Sequence, residues 1–222
     1  VFDGETITFE GLAERVNRLA NGLSQIGIRP GDRVATMQVN TNQCIEAYFA
    51  AAQLDAIYVP INLRAKADEL ATMLEIAQPS CLLLAERYLP MLPDARISSE
   101  KIVILDGEPN SNHTGYEKLL ESSTSDQMHF PDAGDEDTTV IMFTAGTTGV
   151  PKGVMLTHDS FSSYLLATVE PADPDVKESN LITVPFYHIA GLQAALAAVY
   201  GGRTLIVMRQ FEPLEWMRLV QD

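Results

Sequence analysis

Basic residues are scarce in this sequence: 15 Lys and Arg stand against 30 Asp and Glu, a formal net charge of −15 over 222 residues. A nucleic-acid surface needs a basic footprint, and an anionic membrane face attracts clustered Lys and Arg, so no nucleic acid and no such membrane face are expected as partners. Long apolar runs are missing as well. No stretch approaches the ~20 residues of a transmembrane segment. Cysteine is nearly absent. Cys44 and Cys81 both sit in apolar surroundings, which excludes a disulfide framework and reads as two small core residues in a reducing compartment. The other three histidines, His113, His129 and His158, show no metal-ligand spacing with His188 or one another, so no metal site is expected. No Gly-x-Gly occurs, which removes the dinucleotide fingerprint. The acidic start, Val1-Phe2-Asp3-Gly4-Glu5, is unlike a signal peptide, and the expected location is the cytoplasm.

What is present is an alternation of helical and extended patterns. Leu12, Val16, Leu19, Leu23 and Ile26 recur at spacings of three and four, one apolar helix face, and Gly27 fits its stop. Arg29-Pro30-Gly31-Asp32 is turn chemistry, and Arg33 to Val39 reads as a strand. Helices are expected from about Gln43 to Leu54 and from Asp68 to Ala77. Short strands are expected at Ile57–Pro60, Cys81–Leu84 and Ile102–Leu105. Continuous apolar strands between helices indicate a mostly parallel or mixed sheet covered on both faces, hence an α/β fold. From Asp106 to Asp137 polar residues and proline dominate, with a short helix near Tyr116 to Leu120, as expected of a surface connection. Residues 1–130 are therefore read as a first portion and 131–222 as a second. The second holds strands at Thr138–Phe143, Leu181–Val184 and Thr204–Met208, and helices at about Asp159–Val169 and Ile189–Tyr200. A further helix begins near Pro213 and is read as unfinished at the end of the sequence, so the chain reads as part of a longer protein.

The densest signal is Phe143 to His158, FTAGTTGVPKGVMLTH. Gly146, Gly149 and Gly153 let backbone amides approach an anion, Thr144, Thr147 and Thr148 add hydroxyls, and Lys152 adds a charge. A Walker loop needs a second Gly five residues after the first, followed by Lys and Ser or Thr at the mouth of a helix. Counting from Gly146, those positions hold Pro151, Lys152 and Gly153, and the residues beyond alternate like a strand. Taken alone, a Gly-Thr-Thr-Gly loop reads more readily as a hairpin loop with a solvated lysine than as an anion site.

The full string resembles the phosphate loop of the adenylate-forming (AMP-binding) superfamily, which includes the acyl-CoA synthetases. The family pattern is aromatic-Thr-Ser-Gly-Thr-Thr-Gly-x-Pro-Lys-Gly-Val, and Phe143 to Val154 matches it with one departure, Ala145 in place of Ser. Ile7-Thr8-Phe9, Gly31-Asp32-Arg33-Val34, Tyr58-Val59-Pro60-Ile61-Asn62 and Pro185-Phe186-Tyr187-His188-Ile189-Ala190-Gly191 resemble further family landmarks in order. The resemblance implies the N-terminal part of a large domain. It also implies a two-step reaction, in which a carboxylic acid and ATP give an acyl-adenylate and pyrophosphate, and a thiol such as that of coenzyme A then takes the acyl group. Thr144, Ala145, Gly146, Thr147, Thr148, Gly149 and Lys152 would hold the β- and γ-phosphates, with Mg²⁺ sharing the charge. His188 would line the acyl pocket near the carboxylate and is the candidate catalytic residue. The ribose-binding Asp, the hinge, the catalytic lysine and the main Mg²⁺ ligand belong to family segments absent from these 222 residues. By itself the chain is expected to fold, to be inactive, and to self-associate through uncovered apolar surface. The alternative reading is a nucleotide- or acyl-binding module without turnover.

Overall fold

Thr8 starts the first helix. Its hydroxyl accepts from the Gly11 amide at 3.0 Å, and α1 (Phe9–Gln25) buries Val16, Leu19 and Leu23 before Gly27 turns the chain at a φ of +96°. The structure, a computed structural model, describes residues 1–92, 97–107, 112–144, 150–173, 175 and 177–221. The Arg29–Asp32 turn forms as expected. The Asp32 carboxylate accepts from the Arg29 amide at 2.8 Å, and Gly31 has a φ of +79°.

The elements that follow are β1 (Arg33–Met37), α2 (Asn42–Gln53), β2 (Ile57–Pro60), α3 (Ala67–Ala77), β3 (Cys81–Leu84), β4 (Ile102–Ile104), β5 (Thr114–Gly115) and α4 (Tyr116–Glu121). Beyond the polar connection come β6 (Thr138–Thr144), β7 (Lys152–Thr157), α5 (His158–Thr168), β8 (Ser179–Ile182), α6 (Ile189–Tyr200), β9 (Thr204–Val207) and α7 (Pro213–Gln221). One sheet runs β5-β4-β3-β1-β2-β6-β7, parallel except for the antiparallel pair β6–β7, and β8 pairs with β9 in a second, parallel sheet. Strand β6 of the second portion pairs directly with β2 of the first.

Why the strands read as unbroken apolar runs is plain from the two cores. Successive residues alternate between faces: Cys81 and Leu83 enter one core with α1, α2 and α4, and Leu82 and Leu84 enter the other with α3. Val34, Tyr58, Val103 and Val140 follow the first set; Ala35, Val59 and Ile104 follow the second. A third cluster seats the small sheet on α2, through Cys44 and Ile45 against Ile182, Phe186 and Val207. Both thiols are fully buried, and burial pushes Cys44 up to about 11 and Cys81 up to about 12, so each stays a protonated core residue.

A charged side chain lies inside the first core region. Glu46 on α2 has no exposed surface, and its carboxylate accepts from Arg15 Nε at 2.9 Å, Asn42 Nδ2 at 2.6 Å and the Tyr116 hydroxyl at 2.5 Å. This ties α1, α2 and α4 together.

The strand expected at Leu181–Val184 is displaced to Ser179–Ile182. The apolar run does not end the ladder. Val184 O is bonded instead by a side chain, Asn40 Nδ2, at 3.0 Å, and Pro185 has no N–H to continue it.

Several large apolar side chains are uncovered. Val154 and Met155 lie on the edge strand β7, Tyr164 and Leu166 on α5, and Leu214, Trp216, Met217 and Val220 on α7, none of whose described residues is buried. Contiguous surface of this kind drives association. The purified 222-residue chain is therefore expected to show a mass by light scattering that rises with concentration; a mass that stays monomeric throughout would contradict it.

Candidate functional site

Strands β6 and β7 form an antiparallel pair whose last matched residues are Thr144 and Lys152, with Phe143 opposite Gly153. The hairpin thus places Thr144 and Lys152 opposite one another at its loop end. Both residues are exposed, while Pro151 is buried and anchors the return. Ala145, Gly146, Thr147, Thr148 and Gly149 lie outside the described residues. The donor set fits a polyphosphate: hydroxyls and a lysine on a glycine-containing loop, with no carboxylate from Phe143 to His158. The same chemistry makes it a poor metal cage, and no group of three or more His, Cys, Asp or Glu among the described residues could hold a metal ion.

His188 sits elsewhere in the fold, at the N-cap of α6. Its amide donates to Pro185 O at 3.0 Å, and its carbonyl accepts from Gly191 at 3.0 Å and Leu192 at 3.2 Å. Its ring lies 4.5 Å from that of Tyr187, centroid to centroid, and is exposed, so the imidazole is presented rather than packed away. Tyr187 and Phe186 are buried beside it. Gly191 is required on space alone: a Cβ there would lie 2.6 Å from Val184 O and closer still to Pro185 O.

Sequence reasoning missed Asn40. It is 3% exposed, and its side chain brackets the turn before His188 by donating from Nδ2 to Val184 O at 3.0 Å and accepting at Oδ1 from the Phe186 amide at 2.9 Å. In sequence it stands in a polar run, Asn40-Thr41-Asn42-Gln43, that looks like an ordinary loop. An apolar cleft of about 350 Å³ lies apart from these residues, between the N-terminus, α1 and β9, lined by Phe2, Ile7, Leu12, Ile45 and Leu205. It includes none of Thr144, Lys152 or His188 and offers few polar groups for chemistry.

Comparison with known proteins gives a consistent result. The family model described as AMP-binding enzyme matches residues 1–222. A fatty acid–acyl-carrier-protein ligase of Streptomyces coeruleorubidus is 30% identical over 99% of this chain and 42% of its own length. A feruloyl-CoA synthase of an Amycolatopsis species is 31% identical over 95% of this chain and 40% of its own. The inhibitor-bound N-terminal domain of FACL13 from Mycobacterium tuberculosis superposes with a TM-score of 0.76 at 29% identity, covering 94% of this chain and 52% of that one. ATP-bound MatB from Rhodopseudomonas palustris superposes with a TM-score of 0.85 over 99% of this chain and 44% of that one; at 24% identity it speaks to the fold. The chain spans about two fifths of the length of the curated relatives it matches. No helix among the described residues is long and apolar enough to cross a membrane.

Proposed function

The chain belongs to the AMP-binding enzymes, and on that premise we propose that it is the N-terminal portion of an ATP-dependent acyl-CoA synthetase. The reaction joins a carboxylic acid to the AMP moiety of ATP with loss of pyrophosphate, and the acyl group then passes to the thiol of coenzyme A. One observation carries the reading: the string Phe143–Val154 rides on a β-hairpin that brings Thr144 opposite Lys152. Residues 131–222 supply the phosphate loop and the start of the acyl pocket; residues 1–130 supply most of the sheet on which they rest.

Within this portion the roles divide by position. The loop residues Thr144 to Gly149, with Lys152, hold the β- and γ-phosphates and stabilise charge moving onto the departing pyrophosphate. Thr144 and Lys152, held opposite one another in the β6–β7 ladder, need little reorganisation as that charge develops. Mg²⁺, where bound, would supply further positive charge for the phosphates; this loop carries no carboxylate, and its hydroxyls and Lys152 would hold the phosphates themselves. His188, exposed at the head of α6 with Tyr187 against it, lines the acid pocket. A cytoplasmic location fits a reaction that draws on ATP and coenzyme A. The isolated 222 residues do not turn over.

The test is carboxylate-dependent exchange between pyrophosphate and ATP, run across a panel of fatty and aryl acids with the full-length enzyme that contains this chain. Exchange with at least one acid is expected. A folded protein that exchanges with none sinks the reading.

A further inference from the structure

The acid-facing turn is held from outside its own segment, by Asn40. Its side-chain amide presents a donor and an acceptor, as a backbone peptide does, and uses both on one turn. Nδ2 takes Val184 O at 3.0 Å and Oδ1 takes the Phe186 amide at 2.9 Å, across 144 and 146 residues of sequence. These are the two peptide groups flanking Pro185, which has no N–H of its own. The Asn40 backbone is fixed in turn, its own N–H donating to Arg209 O at 3.2 Å just beyond β9. Helix α6 presses on the same turn, since Gly191 has no room for a side chain against the Val184 and Pro185 carbonyls. His188 hangs from this turn through its amide on Pro185 O.

Buried amide groups are normally satisfied locally or by a ladder. Here a buried side chain from the exit of β1 replaces the ladder, and the turn's position is thereby set by the main sheet rather than by β8. We propose that Asn40 is the positioning residue that sets the stance of the Tyr187–His188 turn, and through it the discrimination among carboxylic acids. The proposal rests on the reading of His188 as lining the acid pocket. A shift of about 1 Å in a group facing substrate is enough to change rates by two orders of magnitude, so a loosened turn has a large readout.

The control is built into the same molecule. Asn21 is also buried, and its Nδ2 donates to Thr124 O at 2.8 Å and Asp126 O at 2.9 Å, in the polar connection after α4 and outside this turn. Asn40→Ala and Asn21→Ala each remove a two-bond asparagine and are expected to lower Tm by similar amounts. In the full-length enzyme only Asn40→Ala changes the ratio of kcat/KM between acids, by about tenfold, while the KM for ATP holds. That change is expected to vanish when His188→Ala is already present, because the two act through one another. Asn40→Asp keeps an acceptor for the Phe186 amide but sets a second carboxylate oxygen against Val184 O in a buried site, so it loosens the same turn and shifts the ratio in the same direction.

An independent readout is the His188 imidazole resonance of the full-length enzyme isotopically labelled at histidine, expected to move in both Asn40 variants and not in Asn21→Ala. Unchanged selectivity together with an unmoved resonance in either Asn40 variant overturns the proposal, as does an equal effect from Asn21→Ala. Should the wild-type enzyme exchange with no acid at all, the functional reading fails separately, and the resonance alone decides whether Asn40 positions the turn.

Discussion

Arg15→Met lowers the stability of this chain by about 3 kcal/mol, and Glu46→Gln by about half as much. The asymmetry follows from exposure. Glu46 has no accessible side-chain surface, whereas the Arg15 side chain is 26% exposed. Taking away the arginine leaves a buried carboxylate with only the neutral donors Asn42 and Tyr116, and an uncompensated buried charge typically costs 3–5 kcal/mol. The low end applies because water already reaches the guanidinium. Taking away the glutamate charge instead leaves Arg15 near solvent, still bonded by Nη2 and Nη1 to Glu117 at 2.8 and 3.1 Å. Urea unfolding checks this through a lowered midpoint at unchanged m-value. Arg15→Met with Glu46→Leu is expected to recover most of the loss, since an apolar replacement of both partners removes the desolvation cost along with the attraction. Glu46→Gln proving the costlier single change would refute the argument. The consequence reaches the site. Glu46 stands on the helix whose Cys44 and Ile45 seat Phe186 and the small sheet, so loosening α2 loosens the platform under the His188 turn.

The same residues show what a sequence reveals and what it hides. Cys81–Leu84 was legible as a strand because the sheet is covered on both faces, so every position is apolar and flanking turns mark the ends. The hairpin loop was legible as a phosphate-binding candidate because its chemistry is contiguous in sequence: hydroxyls, glycines and a lysine within twelve residues, Phe143 to Val154. Glu46 was not legible. A single charge on a helix ordinarily marks the solvent face, and the partners that make burial tolerable stand 31 and 70 residues away, in Arg15 and Tyr116. Asn40 was hidden for the same reason, its two bonds closing across more than 140 residues. The expected strand at Leu181–Val184 slipped because the apolar pattern is shared by ladder residues and by a turn whose backbone is satisfied by a distant side chain. Local periodicity reports burial; it does not report which partner satisfies the backbone.

In the full-length enzyme, Thr144→Ala is expected to slow pyrophosphate exchange about 10²-fold, with acid preference unchanged. Removing one pre-placed donor to a developing anion typically costs 10²–10³-fold, and the smaller end applies because neighbouring amides of the loop can take over part of the charge. Lys152→Ala costs less. Its side chain is exposed at the edge of the sheet, where water screens a charge and an ion pair is worth about 0–1 kcal/mol. His188→Ala acts on a different axis. A side chain that lines the acid pocket discriminates between acids, so its removal changes the ratio of kcat/KM from one acid to another by more than it changes the response to ATP. The geometry supports that separation: Thr144 and Lys152 belong to the β6–β7 hairpin of the main sheet, and His188 to a turn held by Asn40 and α6. The measurement is kcat/KM for several acids and for ATP in all three variants. If His188→Ala slowed every acid equally while Thr144→Ala altered acid preference, the assignment of the hairpin to phosphate and the histidine to the acid would be reversed.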